Sequence, residues 1–134
     1  MIGSLMMCVS VVVLLLGMLA GIAMGITQNF MLAPAHAHLN LVGGVLLFLF
    51  GLYYRLVPAA GTTVLAKLQG SLHIAGGLLF PAGVALVLLK GPSVEAAPIV
   101  GSLVVVAAMV LFAVIVFRTA RASEAPAGIP AVRA

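Results

Sequence analysis

Apolar residues run in four long blocks along this chain, and three short breaks of turn-forming residues separate them. The breaks are Thr27-Gln28-Asn29, Val57-Pro58-Ala59-Ala60-Gly61 and Lys90-Gly91-Pro92-Ser93. Neither strand alternation nor a polar helical face interrupts the blocks, so each reads as a helix that is apolar all round. A spanning helix needs about 20 mostly apolar residues. The pattern therefore predicts transmembrane helices at about residues 5–26, 34–56, 64–89 and 98–117. Pro34 and Pro98 sit where a first helical turn tolerates a missing amide hydrogen. Thr62 or Thr63 is placed to cap the third helix. Beyond Arg118 the composition turns to Ala, Pro, Gly and charge. Residues 1–118 are thus expected to form one four-helix transmembrane domain, with 119–134 a flexible cytoplasmic tail.

Composition strengthens this picture and removes its rivals. Of 134 residues, 65% are hydrophobic and 6% charged, against about a quarter charged in soluble domains. Mean hydropathy is +1.40, which excludes both a soluble globular fold and disorder. Cys8 is the only cysteine, so no disulfide framework exists. The net charge of +4 comes from basic residues scattered along the chain, with none of the clustering that nucleic-acid binding requires. Met1-Ile2-Gly3-Ser4 contains no basic residue and the apolar run that follows is too long for a secretory signal, so the first span is expected to be retained. Arg55, Lys67, Arg118, Arg121 and Arg133 fall on one side of a four-span topology and Lys90 on the other. The positive-inside rule then predicts both termini cytoplasmic, in a membrane of the bacterial inner type. With no Trp in the chain, the interfacial aromatic belt is expected from Tyr53, Tyr54, Phe30, Phe50 and Phe117.

Polar side chains within the spans are few: His36, His38, Asn40, Gln69, Ser71, His73 and some hydroxyls. Intramembrane ionisable groups are costly and point to function. On a helix, residues two apart diverge by about 200°, so His36 and His38 serve opposite flanks and cannot chelate one ion. Were residues 35–38 extended, both imidazoles would converge on one copper-like ion. Asn40 shares the His36 flank. His73 lies in the inner half of the third helix, at a depth expected to differ from that of His38 by roughly 16 Å. That separation makes a shared haem implausible and favours a packing role, with metal ligation the alternative. Gly17, Gly21 and Gly25 recur on one side of the first helix and predict a continuous face for close backbone approach.

At the second span a family resemblance enters. His36-Ala37-His38-Leu39-Asn40-Leu41-Val42-Gly43-Gly44, followed by Phe48, Phe50-Gly51-Leu52-Tyr53-Tyr54-Arg55 and Pro58, resembles one helix of haem–copper oxidase subunit I. The resemblance implies that His36 matches the ligand of the oxygen-reducing haem and His38 that of the electron-transfer haem. It also implies an all-α membrane bundle forming one arc of a subunit I-like ring, which a homotrimer would complete. The family's other copper histidines and its intramembrane acids have no counterpart here, so neither a complete oxidase nor a proton pump is implied, and no catalytic residue is assigned.

The expected function is accordingly a haem-binding membrane protein, of b-type, for electron transfer or diatomic-gas binding. His36, His38 and Asn40 form the expected site, the two histidines bind haem iron, and the redox partner is unknown. Two other classes compete: a copper-handling protein, with Met6, Met7, Met18 and Met24 as soft partners, and a non-catalytic structural or assembly subunit.

Overall fold

The computed structural model describes residues 1–124, and these form helices and short connections with no strand. Helix α1 spans Ile2–Thr27. The second span is composite: α2 (Ala33–His38), a π-helical stretch (Leu39–Leu46) and α3 (Leu47–Leu56) follow without a break. A short α4 (Pro58–Gly61) leads to α5 (Val64–Lys90), and a 3-10 turn (Pro92–Val94) leads to α6 (Ala96–Glu124). Four helical spans, Ile2–Thr27, Ala33–Leu56, Val64–Lys90 and Ala96–Ala122, are long and apolar enough to cross a membrane. The chain is thus a multi-pass, all-helical membrane protein by length and composition.

The helix boundaries have local causes. Gln28 adopts a left-handed conformation (φ 52°) and ends α1. Pro34 occupies the first turn of α2 and Pro58 that of α4, where no intrahelical donor is lost. Thr63 caps α5, its hydroxyl accepting from the Ala66 amide at 3.1 Å. Helix α6 runs past Phe117 to Glu124, so residues 119–124 are helical where a tail was expected. Thr119, Ala120, Arg121 and Ala122 include no helix breaker, and the next proline is Pro126. The rest of the expected tail, with Arg133, lies outside the described residues.

Glycines set how close the helices come, and on α1 they do so differently from what the sequence pattern suggested. Gly3 of α1 and Gly51 of α3 abut backbone to backbone, because a Cβ on either would lie 2.7–2.8 Å from the other's carbonyl oxygen. Gly76, Gly83 and Gly101 likewise bring α5 and α6 together. On α1, Gly17 and Gly21 do not receive a backbone. They make room for the Asn40 and His36 side chains, while Gly25 has no neighbour within 4 Å. The expected continuous three-glycine face is therefore a two-residue seat for polar side chains.

The core sits toward the end where α3 leaves the bundle. Met6, Leu47, Phe50, Tyr54, Ala66 and Ile115 are buried there, and Phe50 stacks on Phe112 of α6 at 4.0 Å between ring centroids. Tyr54 and Phe50, expected in an interfacial belt, are instead core residues. Tyr54 can be enclosed because its hydroxyl has a partner, the Gln69 side-chain oxygen at 2.9 Å. At the same end α1 meets α5, with Ile2 and Met6 against Gly70. Toward their other ends the two helices separate around a cleft.

Candidate functional site

The second span crosses α5 at Gly43 and Gly77, where the second span is π-helical and α5 is an unbroken α-helix carrying a proline one turn on. A Cβ at Gly43 would lie 2.7 Å from the Gly77 carbonyl oxygen. Pro81, within α5, has no amide hydrogen to offer the carbonyl four residues back, and that carbonyl belongs to Gly77. On the other partner, the π-helical stretch is gripped from both sides. The Ser10 hydroxyl of α1 donates to the Gly44 carbonyl at 2.9 Å. The His73 Nε2–H of α5 donates to the Val42 carbonyl at 3.1 Å. π-helical turns are uncommon and recur near functional sites. Here the stretch begins directly after His36 and His38 and contains Asn40.

His36 and His38 are both on α2 and helical, so they diverge as the two-residue spacing requires and the extended, converging arrangement does not form. His36 faces α1. A Cβ at Gly21 would be 3.2 Å from its Cε1 and 3.4 Å from its Nε2. The Asn40 Nδ2 lies 3.3 and 3.2 Å from the two ring nitrogens and donates to the His36 carbonyl at 3.1 Å. A Cβ at Gly17 would collide with that same amide. Asn40 is thereby wedged between α1 and the imidazole it orients.

His38 takes the other flank. Its Nδ1–H donates to the Pro34 carbonyl at 2.7 Å, and its ring meets Phe80 of α5 edge-on at 4.7 Å. Both imidazoles therefore find partners within one chain, so a lone four-helix unit does not have to leave either one bare in hydrocarbon. Phe80 and His73 are about 10 Å apart along α5 at 1.5 Å per residue. The depth difference between His38 and His73 is smaller than the expected 16 Å, because the second span and α5 cross at Gly43–Gly77. The gap still exceeds what two axial ligands of one iron span. His73 itself is fully buried against Phe50, with ring centroids at 4.7 Å.

One cavity joins these elements: a cleft of about 520 Å³ between the C-terminal part of α1, the start of the second span and α5. His36 forms part of its wall, among Ala23, Met24, Leu39, Pro81 and Ala85, and Thr27 and Asn29 also line it. His38 and Asn40 are not among its lining residues. The volume falls in the range of small-molecule and cofactor sites. Its chemistry is that of one imidazole, the two thioethers of Met24 and Met31, the polar Thr27 and Asn29 and otherwise apolar walls, which suits a largely apolar group carrying a metal. No cation lines it to meet acidic substituents. Among the described residues, no cluster of three or more His, Cys, Asp or Glu side chains could hold a bare metal ion.

Sequence reasoning isolated His36 and Asn40 and named Met24 among the soft partners of the histidines, but it did not name Met31, nor assign roles to Ser10 and Pro81. Pro81, in the middle of an apolar block, was the available signal for the crossing. No protein-family model, curated protein or solved structure matches this chain.

Proposed function

We propose that this is a haem-binding membrane protein in which His36 would hold the haem iron within the cleft. The observation that carries the reading is a half-buried imidazole, oriented by Asn40, in the wall of an apolar cavity of cofactor size. The resemblance of residues 34–58 to an oxidase subunit I helix supports it from the sequence side. Bound there, haem would supply one-electron transfer or diatomic-gas binding, and the residues that hold its iron would tune which. The residues of the chain have three tasks. His36 donates a ring nitrogen, Asn40 fixes the ring plane, and the alanine-lined walls exclude water. His38, on the opposite flank against Phe80, is the proposed ligand of a second haem, as the family pattern implies. We further assign both termini to the cytoplasm of a bacterial-type inner membrane, and a homotrimer that completes a twelve-helix ring; the charge distribution and the family resemblance are the respective grounds.

A second reading draws on the lining of the cleft: Met24, Met31 and His36 share it, and thioethers with an imidazole suit copper(I). An absorption spectrum and metal assay on detergent-purified protein separate the readings. A sharp Soret band supports haem, and copper without a Soret band supports metal handling. Neither would leave a structural or assembly subunit. Native mass spectrometry gives the chain and haem count, with a trimer expected.

A further inference from the structure

Gln69 and His73 are one turn apart on α5 and both are fully buried. Each has one side-chain atom satisfied and one that is not. The Gln69 oxygen accepts from the Tyr54 hydroxyl at 2.9 Å, and the His73 Nε2 donates to the Val42 carbonyl at 3.1 Å. The Gln69 Nε2 and the His73 Nδ1 are buried with no hydrogen-bond partner. Few buried polar atoms in native proteins lack a partner, and each such case calls for an explanation.

Hydrogen-bond polarity says what would fit between them. A carbonyl can only accept, so the bond to Val42 requires the proton on Nε2. In a neutral imidazole that makes Nδ1 an acceptor. Gln69 presents the complementary group, an N–H donor. Flipping the Gln69 amide would turn an oxygen toward His73, and two acceptors would then face each other. Side chains four apart on a helix have Cβ atoms about 5–6 Å apart, a span suited to one small bridging molecule. That molecule must accept from Gln69 and donate to His73. Water does both, whereas dioxygen, nitric oxide and carbon monoxide have no proton to donate.

We propose that Gln69 and His73 form a binding site for one internal water molecule, independent of the His36 cleft. The bridge completes a single directed chain: Tyr54 O–H to Gln69 Oε1, Gln69 Nε2–H to water, water to His73 Nδ1, His73 Nε2–H to the Val42 carbonyl. Every donor points toward the π-helical stretch. The chain ties the Tyr54 end of the bundle to the turn that carries Asn40, and it keeps His73 in the tautomer that grips that turn. Buried waters of this kind commonly make two to four hydrogen bonds to otherwise unsatisfied groups.

The test is nitrogen-15 NMR of the full chain in lipid nanodiscs, with labelled histidine and glutamine and magnetisation transferred from water. The expected result is a neutral His73 protonated at Nε2, an unprotonated Nδ1 in a hydrogen bond, and water transfer to the His73 ring. In Gln69→Leu, water transfer to His73 should be lost while the Nε2–H tautomer persists. A proton on Nδ1, a direct through-bond coupling between Gln69 Nε2 and His73 Nδ1, or no water transfer in the wild-type chain would overturn the site. So would water transfer that survives in Gln69→Leu unchanged. The wild-type spectrum alone decides the matter if the variant does not fold.

Discussion

The bundle contains two pairs of an imidazole and a carboxamide spaced four residues apart: His36 with Asn40 on the second span, and Gln69 with His73 on α5. Their chemistry is the same and their surroundings are opposite. The first pair is half-buried, with the Asn40 amide packed against the imidazole and donating to the His36 carbonyl, and its histidine borders a cleft of about 520 Å³. The second is enclosed completely, and each member is committed on one side to a different helix segment, Tyr54 or Val42. A histidine in a membrane span is thus read by what its ring nitrogens face. One that faces a cavity is available to a ligand. One that is fully enclosed and holds a backbone carbonyl of another span, as His73 does, is part of the scaffold.

If that contrast is right, the two histidines respond differently to removal. His73→Leu leaves the Val42 carbonyl without its donor and breaks the bridge to the Gln69 amide in an enclosed interior, and should destabilise the fold by about 3 kcal/mol. His36→Leu removes a side chain that the scaffold does not depend on and should shift unfolding by less than about 0.5 kcal/mol. Denaturant titration in detergent micelles compares them, and equal losses would erase the distinction.

The seat of the His36–Asn40 pair is tested next. Gly17→Leu drives a side chain into the space of the Asn40 amide and should cost about 2 kcal/mol through overpacking. Gly25→Ala on the same helix meets nothing within 4 Å and should be neutral or slightly stabilising. A shared loss at both positions would restore the continuous glycine face that the sequence pattern suggested.

On the enclosed side, Tyr54→Phe deletes the bond to Gln69 without changing the ring packing and should cost about 1 kcal/mol. Ser10→Ala removes the hydroxyl from the Gly44 carbonyl and should cost about 0.6 kcal/mol, in line with interhelical bonds in other membrane bundles. Thermal unfolding followed by circular dichroism resolves the first, and the second needs the denaturant series.

What could be read from the sequence followed from what long apolar blocks dictate. Four spans, their breaks, the Thr63 cap and the opposite flanks of His36 and His38 all follow from local rules of helix length, turn residues and a 100° step. Relations between helices were not accessible in the same way. The π-helical stretch Leu39–Leu46 has no local signature, because its carbonyls are held by Ser10 and His73 from distant segments. Gly17-x-x-x-Gly21-x-x-x-Gly25 is a good pattern for backbone contact, yet what arrives at the first two is a carboxamide and an imidazole. Tyr54 looked interfacial by type and position along the span, and only its pairing with Gln69 makes the core tolerable for it. The cleft is a product of α1 and α5 meeting at one end and diverging at the other, which depends on the Gly43–Gly77 crossing.

The central claim, that the His36 cleft holds a haem, is tested most directly by the absorption spectrum of the purified full-length chain beside its His36→Leu variant. A Soret band in the wild type that is lost or shifted in a folded His36→Leu protein is the predicted result. A wild type without the band when expressed with ample haem, or a band unchanged by the substitution, would contradict it.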